Sequence, residues 1–183
     1  FSSEFRWLSD GRHLHHLGVH LTQRDRDARV ALFEWDEQFE PVDETGVFSI
    51  EEERADLFFL SRWELQQTTL ETGLRMEHTS LNGDLNEQSN TAWFPSLHIL
   101  HEFESSARLR LSLARSTRRP DFKSLTPFRQ RDQPRDGQEL FGNPELKAEF
   151  ALGGDLGLEF DLSTHGNLGF NLFYRKISNL IEH

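Results

Sequence analysis

Cysteine is absent from this chain of 183 residues. Disulfides and thiolate metal sites are therefore excluded, and cysteine usage gives no indication of the redox compartment. Methionine occurs once, at Met76, and the chain begins at Phe1. We expect from this that the polypeptide is processed or lacks its beginning, and that any targeting segment lies outside the sequence.

Positive charge and long hydrophobic runs are also scarce. The chain has 20 Lys and Arg against 31 Asp and Glu, a formal net charge of −11. This excess of acid argues against a nucleic-acid partner, which would require basic surface. Hydrophobic residues make up 36% of the chain, and the longest aliphatic or aromatic runs are four residues, as in Leu57–Leu60. No segment approaches the roughly 20 apolar residues of a membrane-spanning helix.

A period of two dominates what is present. From Phe150 to Leu162 the even positions are apolar except Gly154, and the odd positions are small or acidic. Successive side chains of a strand point to opposite faces, so this segment predicts a strand with one apolar face. Similar alternation predicts about eight strands and no helix, at residues 3–8, 13–33, 55–65, 70–77, 91–103, 108–113, 150–162 and 168–174.

The predicted connections alternate between short and long. Short turns fall at residues 9–12, 66–68, 104–106 and 163–166, and long polar connections fall near 36–54, 80–90 and 117–146. This alternation requires residues 13–33 to form one strand. It predicts an all-β fold, an antiparallel up-and-down meander of the kind that forms transmembrane β-barrels. A soluble β-sandwich that binds carbohydrate or protein is the alternative, although its strands would usually be shorter.

Several segments resemble TonB-dependent outer-membrane receptors, in the order of that family. Residues 115–128 resemble the stretch SRSxxRPDFxxLxPF, and residues 142–147 match GNPxLK, with Ala148 where the family usually has Pro. Residues 155–160 and 174–181 resemble DLGLEYY and YKDISNFI. Upstream, residues 74–79 and 93–97 resemble GVRxExT and WLPSLN.

This resemblance implies a barrel of about 22 strands that carries a plug in its lumen. It also implies import of a scarce nutrient such as a ferric siderophore, haem, cobalamin or an oligosaccharide. A periplasmic TonB partner would supply the energy through the plug, and the location would be the outer membrane of a Gram-negative bacterium. We expect residues 1–183 to be part of the barrel domain, with the plug absent from the sequence. No cofactor is expected.

Two groups of residues are candidates for function. The first consists of family-motif residues, for which a structural role is favoured over ligand binding because Pro ends strand pairing and Asp and Asn favour turns. They are Arg119, Pro120, Asp121, Phe122, Gly142, Asn143, Pro144, Leu146 and Lys147. The second consists of charges expected to face the lumen, because Arg facing lipid would cost roughly 2–4 kcal/mol. They are Glu71, Arg75, Glu77, Arg108, Arg110, Asp155, Glu159 and Asp161.

The histidines and the charged stretches do not predict a specific functional site. His13 and His15 should share one strand face and His16 and His20 the other, so we expect no four-histidine metal site. The acidic stretch 34–53 and the basic stretch 108–135 are interpreted as solvated loops, the basic one facing lipopolysaccharide phosphates, rather than as loops that attract a ligand. No nucleophile elbow indicates an enzyme. Cut from its barrel, the piece is expected to self-associate.

Overall fold

The computed structural model describes residues 1–35, 41–84, 87–104, 106–125, 129–131, 139–162 and 166–181. Strands predominate, as the period of two predicts. They are β1 (Ser2–Ser9), β2 (His13–Trp35), β3 (Pro41–Leu65), β4 (Thr68–Gly83), β5 (Glu87–Glu102), β6 (Ala107–Arg118), β7 (Arg129–Arg131), β8 (Glu139–Phe141), β9 (Glu149–Asp161) and β10 (Asn167–Ser178). One short helix, α1 (Phe122–Leu125), follows β6.

Eight of these strands form one sheet in the order β1-β2-β3-β4-β5-β6-β9-β10, and β7 and β8 form a second sheet of two strands. Each neighbouring pair is antiparallel, so the predicted up-and-down meander is confirmed. The single strand predicted for residues 13–33 is confirmed as β2. Strands β1 and β10 form the two edges of the sheet.

Short turns join the strands at one end of the sheet, which we call the turn end. Between β1 and β2, Asp10 and Gly11 have φ values of 51° and 67°. Positive φ at both central residues is typical of the type I′ turn, whose twist matches that of a hairpin. Gln66 and Ser106 also adopt positive φ in the turns after β3 and β5. The opposite end is called the loop end.

Two of the three predicted long connections at the loop end are wrong. Strands β2 and β3 remain paired as far as Trp35 and Pro41, so most of residues 36–54 is strand rather than loop, and residues 36–40 lie outside the described part. Strands β4 and β5 reach Gly83 and Glu87, which leaves only residues 84–86 between them. The polar and acidic residues of these segments favoured a loop in the sequence. They form strands because ladder hydrogen bonds join backbone groups and do not depend on side-chain charge.

The third connection, between β6 and β9, is long as predicted. It contains α1 and the β7–β8 hairpin, whereas the sequence predicted no helix. Asp121 begins this single turn by accepting hydrogen bonds from the Ser124 backbone N–H at 2.7 Å and its hydroxyl at 2.6 Å. A side-chain cap of this kind satisfies a donor that the first helical turn leaves free. Residues 126–128 and 132–138 lie outside the described part.

Apolar side chains are largely exposed on one face of the sheet. Leu57, Leu74 and Leu113 are each 45% exposed, and Leu172 is 70% exposed. Leucines buried between two packed sheets would characterise a sandwich, so this arrangement contradicts that alternative. A small buried cluster of Phe48, Ile50 and Leu125 lies on the other face. No helix among the described residues is long and apolar enough to cross a membrane.

Candidate functional site

The strand register places the predicted lumen-facing charges on one face of the sheet. Glu71 lies directly opposite Arg62 and His98, and this polar row continues through Ser112 to Asp155. Alternation along each strand then assigns the others to the same face. We call this the polar face; it carries Glu71, Arg75, Glu77, Arg108, Arg110, Asp155, Glu159 and Asp161. That the polar face lines a barrel lumen stays a prediction.

The opposite, apolar face carries continuous rows of hydrophobic residues. One row crosses six neighbouring strands through cross-strand partners, and it runs Trp63, Leu70, Ile99, Leu111, Leu156 and Leu172. Such rows arise because directly opposed residues in antiparallel strands share a face. An outward apolar band with polar residues on the inner face is the arrangement of transmembrane barrels.

A buried group of charges occupies the polar face near the loop end. Arg119, which follows β6, pairs with Glu77 of β4 and lies 4.0 Å from Glu52 of β3. Both carboxylates are less than a tenth exposed. Beside them, Arg54 pairs with the buried Asp56 at 3.3 Å. Burial lowers the pKa of Arg119, and the positive charge of Arg54 acts in the same direction. A guanidinium nevertheless stays protonated in proteins, so Arg119 balances buried negative charge.

Two further arginines complete this group. Arg24 of β2 lies 3.8 Å from Glu52, and Arg75 of β4 lies 3.8 Å from Glu77. Each of these carboxylates therefore contacts one arginine of the sheet and Arg119 of the loop. Buried carboxylates without such partners would carry a large desolvation penalty. The group consequently links the segment after β6 to three strands of the sheet.

The two motif segments lie together over this group. We call residues 119–125 and 142–148 the loop base. The backbone N–H of Asn143 donates to Ser124 O at 2.7 Å, and Phe122 and Leu146 pack against the cluster of Phe48, Ile50 and Leu125.

The loop base is also shaped by local turns. The Asn143 side chain accepts a hydrogen bond from the Glu145 N–H at 2.9 Å. β6 ends at Arg118, directly before Arg119 and Pro120. These contacts place the side chains of Asp121 and Asn143 in local turns, and a structural role for the motif residues stays a prediction. Gly142, Pro144 and Lys147 lie in the same segments.

A cavity of about 1110 Å³ lies between the loop base and the polar face. Its cationic lining consists of Arg24, Arg26, Arg54, Arg119, Lys123 and Lys147, and its acidic lining consists of Glu52, Glu77, Glu87, Asp121 and Glu145. Two of these acids, Glu52 and Glu77, are the carboxylates already bound by arginines. Among the candidate residues, Glu77 and most of the motif residues therefore meet in one cavity.

The other candidate charges lie closer to the turn end. Arg110 pairs with Glu159 at 3.0 Å, and Arg108 lies opposite Glu159 in the register. Glu71, Arg110 and Asp155 line a second cavity of about 640 Å³. Asp161 lies at the end of β9, opposite Asn167. These residues do not join the Arg119 group.

The histidines divide between the faces as predicted. His15 hydrogen-bonds Ser61 of β3 at 2.7 Å on the apolar face. His16 and His20 lie on the polar face, where their Nε2 atoms are 3.1 and 3.2 Å from the two oxygens of Glu4. Within the described ranges, no group of three or more metal-ligating side chains has the geometry to hold an ion.

Sequence reasoning missed Glu52, Asp56 and Glu4. The sequence interpretation places Glu52 in an acidic loop. Glu52, Arg54 and Asp56 nevertheless alternate with Ala55 and Leu57, which continues the pattern of the strand predicted for residues 55–65. That continuous period of two was the signal for strand β3. No sequence pattern indicated that Arg119 would reach Glu52, since the two are 67 positions apart.

Comparisons with known proteins agree with this architecture. Residues 10–183 match the outer membrane protein β-barrel family. Over 124 residues, or 63% of this chain, the sequence is 32% identical to the ferric enterobactin receptor of Pseudomonas aeruginosa, of which it spans 15%.

Two solved structures show the same fold. The copper transporter OprC matches 88% of this chain and 27% of its own, with a TM-score of 0.63 and 16% identity. The ferric preacinetobactin receptor BauA of Acinetobacter baumannii matches 96% of this chain and 28% of its own, with a TM-score of 0.53 and 13% identity. The resemblance to TonB-dependent receptors is thus confirmed. Since the family match extends over residues 10–183, this chain belongs to the outer membrane protein β-barrel family, and its location is the outer membrane.

Proposed function

We propose that the chain forms part of the barrel wall of a receptor that imports a ferric siderophore across the outer membrane. The observation that carries this proposal is the cavity beneath the loop base, which is lined by six basic and five acidic side chains. Basic groups that line a concave surface raise the local concentration of anionic ligands. The ferric enterobactin receptor that shares 32% identity with this chain is named for an iron chelate.

The charge of the cavity favours an anionic chelate over a neutral ligand. The lining carries six basic and five acidic side chains, an excess of one positive charge, and Glu52 and Glu77 partly balance the arginines that contact them. Arg24 is more than half exposed, and its guanidinium is therefore accessible to a ligand. Charge-assisted hydrogen bonds from guanidinium groups are among the stronger polar contacts in proteins. A neutral oligosaccharide would make no use of this positive charge.

The energy source and the remaining partners belong to the same proposal. A periplasmic TonB partner would act through a plug domain, which we expect outside residues 1–183. The apolar face would contact outer-membrane lipid and lipopolysaccharide. Transport, rather than catalysis, is the proposed activity.

The test is growth and uptake in a strain that lacks the receptor gene. Iron-limited cells would be supplied with ferric enterobactin, ferric preacinetobactin or haem, and separate cultures would receive cobalamin, an oligosaccharide or copper. We expect the restored gene to support ⁵⁵Fe uptake from a ferric siderophore, and uptake to stop when TonB is deleted. Restored uptake of haem alone, or of only a non-iron nutrient, would refute the proposal.

A comparison of arginine variants inside and outside the cavity tests whether the cavity is the ligand site. Arg24→Ala should raise the half-saturating concentration of the chelate several-fold, because it removes an accessible positive charge. Arg12→Ala is the matched control, since Arg12 is an exposed arginine in the turn at the opposite end of the sheet. Equal effects of the two variants would count against this cavity as the ligand site.

A further inference from the structure

The ladder between β5 and β6 is incomplete. Only Ser96–Glu102 of β5 pairs with Arg108–Ala114 of β6. Towards the loop end, residues 87–95 stay paired with β4, and residues 115–118 stay paired with β9. No strand pairing joins these two described stretches to each other, so the sheet is split between β5 and β6.

Pro95 stands where the split begins, next to the last paired residue, Ser96. Proline has no backbone N–H to donate to a ladder, and it is found in sheets mainly where pairing is interrupted. The start of the split thus coincides with the proline of the WFPSL segment. The upper parts of β5 and β6 are free to diverge beyond it.

Side chains fill the split beside this proline. The Arg75 guanidinium lies 4.7 Å from the centre of the Phe94 ring, which is 6.2 Å from the Phe150 ring. Arg115 lies 4.7 Å from the Phe150 ring and donates to the Trp93 carbonyl at 3.2 Å. Cation–π contacts of this kind are attractive at such distances. They fill the gap, but they do not replace the missing backbone ladder.

The loop base crosses from one side of the split to the other. It leaves β6 at Arg118, and Arg119 then contacts Glu77 of β4 and Glu52 of β3. A second contact joins it to β5, where Gln88 Nε2 donates to the Pro144 carbonyl at 3.0 Å. The loop base thus connects the β6 side of the split to strands β3, β4 and β5.

We propose that Arg119 is a positioning residue that fastens the loop base across the split, and that this attachment shapes the cavity beneath it. Arg119 is a charged member of the loop base, and it contacts the buried carboxylates Glu52 and Glu77. Without it, the loop base would lose its ion pairs to Glu52 and Glu77, while the apolar cluster and the Gln88 contact would remain. The consequence for ligand binding rests on the proposed function, whereas the attachment itself does not.

Cysteine labelling in cells that produce the receptor tests the attachment without any ligand. The chain has no cysteine of its own, and Leu125 of the loop base is buried. Leu125→Cys would report exposure of the loop base through its rate of reaction with fluorescein maleimide. We expect slow labelling when Arg119 is intact.

The variants separate loss of attachment from misfolding. Arg119→Met alone leaves two buried carboxylates short of a partner, and the protein then risks failing to fold. The double variant Arg119→Met/Glu77→Gln removes one of these charges together with the attachment. We expect it to label at least tenfold faster, and Arg119→Lys to restore most of the protection. Arg12→Met, at the turn end, should label as the parent does.

Uptake of ⁵⁵Fe-enterobactin gives the second measurement. We expect the double variant to raise the half-saturating concentration about tenfold or more while the maximal rate changes less than twofold. Labelling at the parental rate would overturn the proposal, and so would faster labelling with an unchanged half-saturating concentration. If the parent transports no enterobactin, the proposed ligand fails, and the labelling result alone supports or overturns the attachment.

Discussion

The Ser61 hydroxyl lies 2.7 Å from His15 Nδ1, and the two residues face each other across β3 and β2. Ser61 is fully buried on the otherwise apolar face. The same pairing of histidine with an opposite hydroxyl recurs between His101 and Thr68 at 2.8 Å. A cross-strand hydroxyl thus satisfies a ring nitrogen that has few polar neighbours.

Removing this hydroxyl should destabilise the sheet. Ser61→Ala leaves a histidine nitrogen without its partner, and we expect the free energy of unfolding to fall by about 1–3 kcal/mol. Urea unfolding of the receptor in detergent micelles would measure the change. Ser112→Ala is the control, because its partner His98 is exposed and water replaces the lost bond. An equal loss in both variants would contradict the role of burial.

Because Gly18 has no side chain, the ring of Phe58 lies close to the backbone of β2. A Cβ atom at Gly18 would lie 2.4 Å from the ring of Phe58, which packs edge-on against His16 and His20. Gly18→Ala should therefore cost about 1–3 kcal/mol. The additional change Phe58→Ala should recover part of that loss in urea unfolding.

A control separates this clash from the general cost of replacing glycine in a strand. A Cβ atom at Gly169 would meet only Glu159 Cγ, at 4.0 Å. Gly169→Ala should consequently leave stability within about 0.5 kcal/mol of the parent. If Phe58→Ala does not recover stability in the Gly18→Ala background, the Phe58 ring is not the obstacle.

Adjacent residues of β10 test which face meets lipid. Leu172 belongs to the apolar row, whereas Asn171 lies opposite Gly157 on the polar face. Leu172→Arg should cost roughly 2–4 kcal/mol in a bilayer, because it places a charge in hydrocarbon. Asn171→Arg should cost much less. Folding into lipid vesicles, followed by gel mobility with and without heating, would compare them, and the reverse order of stability would invert the assignment of the faces.

The isolated chain should self-associate in detergent-free buffer. Among the described strands, β1 and β10 are the two edges of the sheet, and Phe170 and Leu172 are exposed on β10. Unpaired edges and large apolar surfaces both promote association. Light scattering should show oligomers that shrink when detergent covers the apolar face. A monomer in plain buffer would contradict this expectation.

Much of the fold follows from alternation that can be read directly from the sequence. The segment from Phe150 to Leu162 predicts a strand with one apolar face, and β9 covers Glu149–Asp161. Asp10 and Gly11 predict the first turn, because both tolerate positive φ. The same alternation assigned all eight candidate charges to a common face. These features are local, since the faces of a strand depend only on its own residues.

The candidate site required information from distant parts of the chain. Arg119 meets Glu77 and Glu52, which lie 42 and 67 positions earlier, and no local pattern specifies such contacts. The extension of β3 through acidic residues was also missed, because cross-strand pairing rather than side-chain polarity maintains it. The sequence by itself determined the strands, their faces and the turn end. Only the tertiary structure decided where the ladder splits beside Pro95 and how the loop base crosses it, because backbone pairing and buried charge pairs depend on segments brought together by folding.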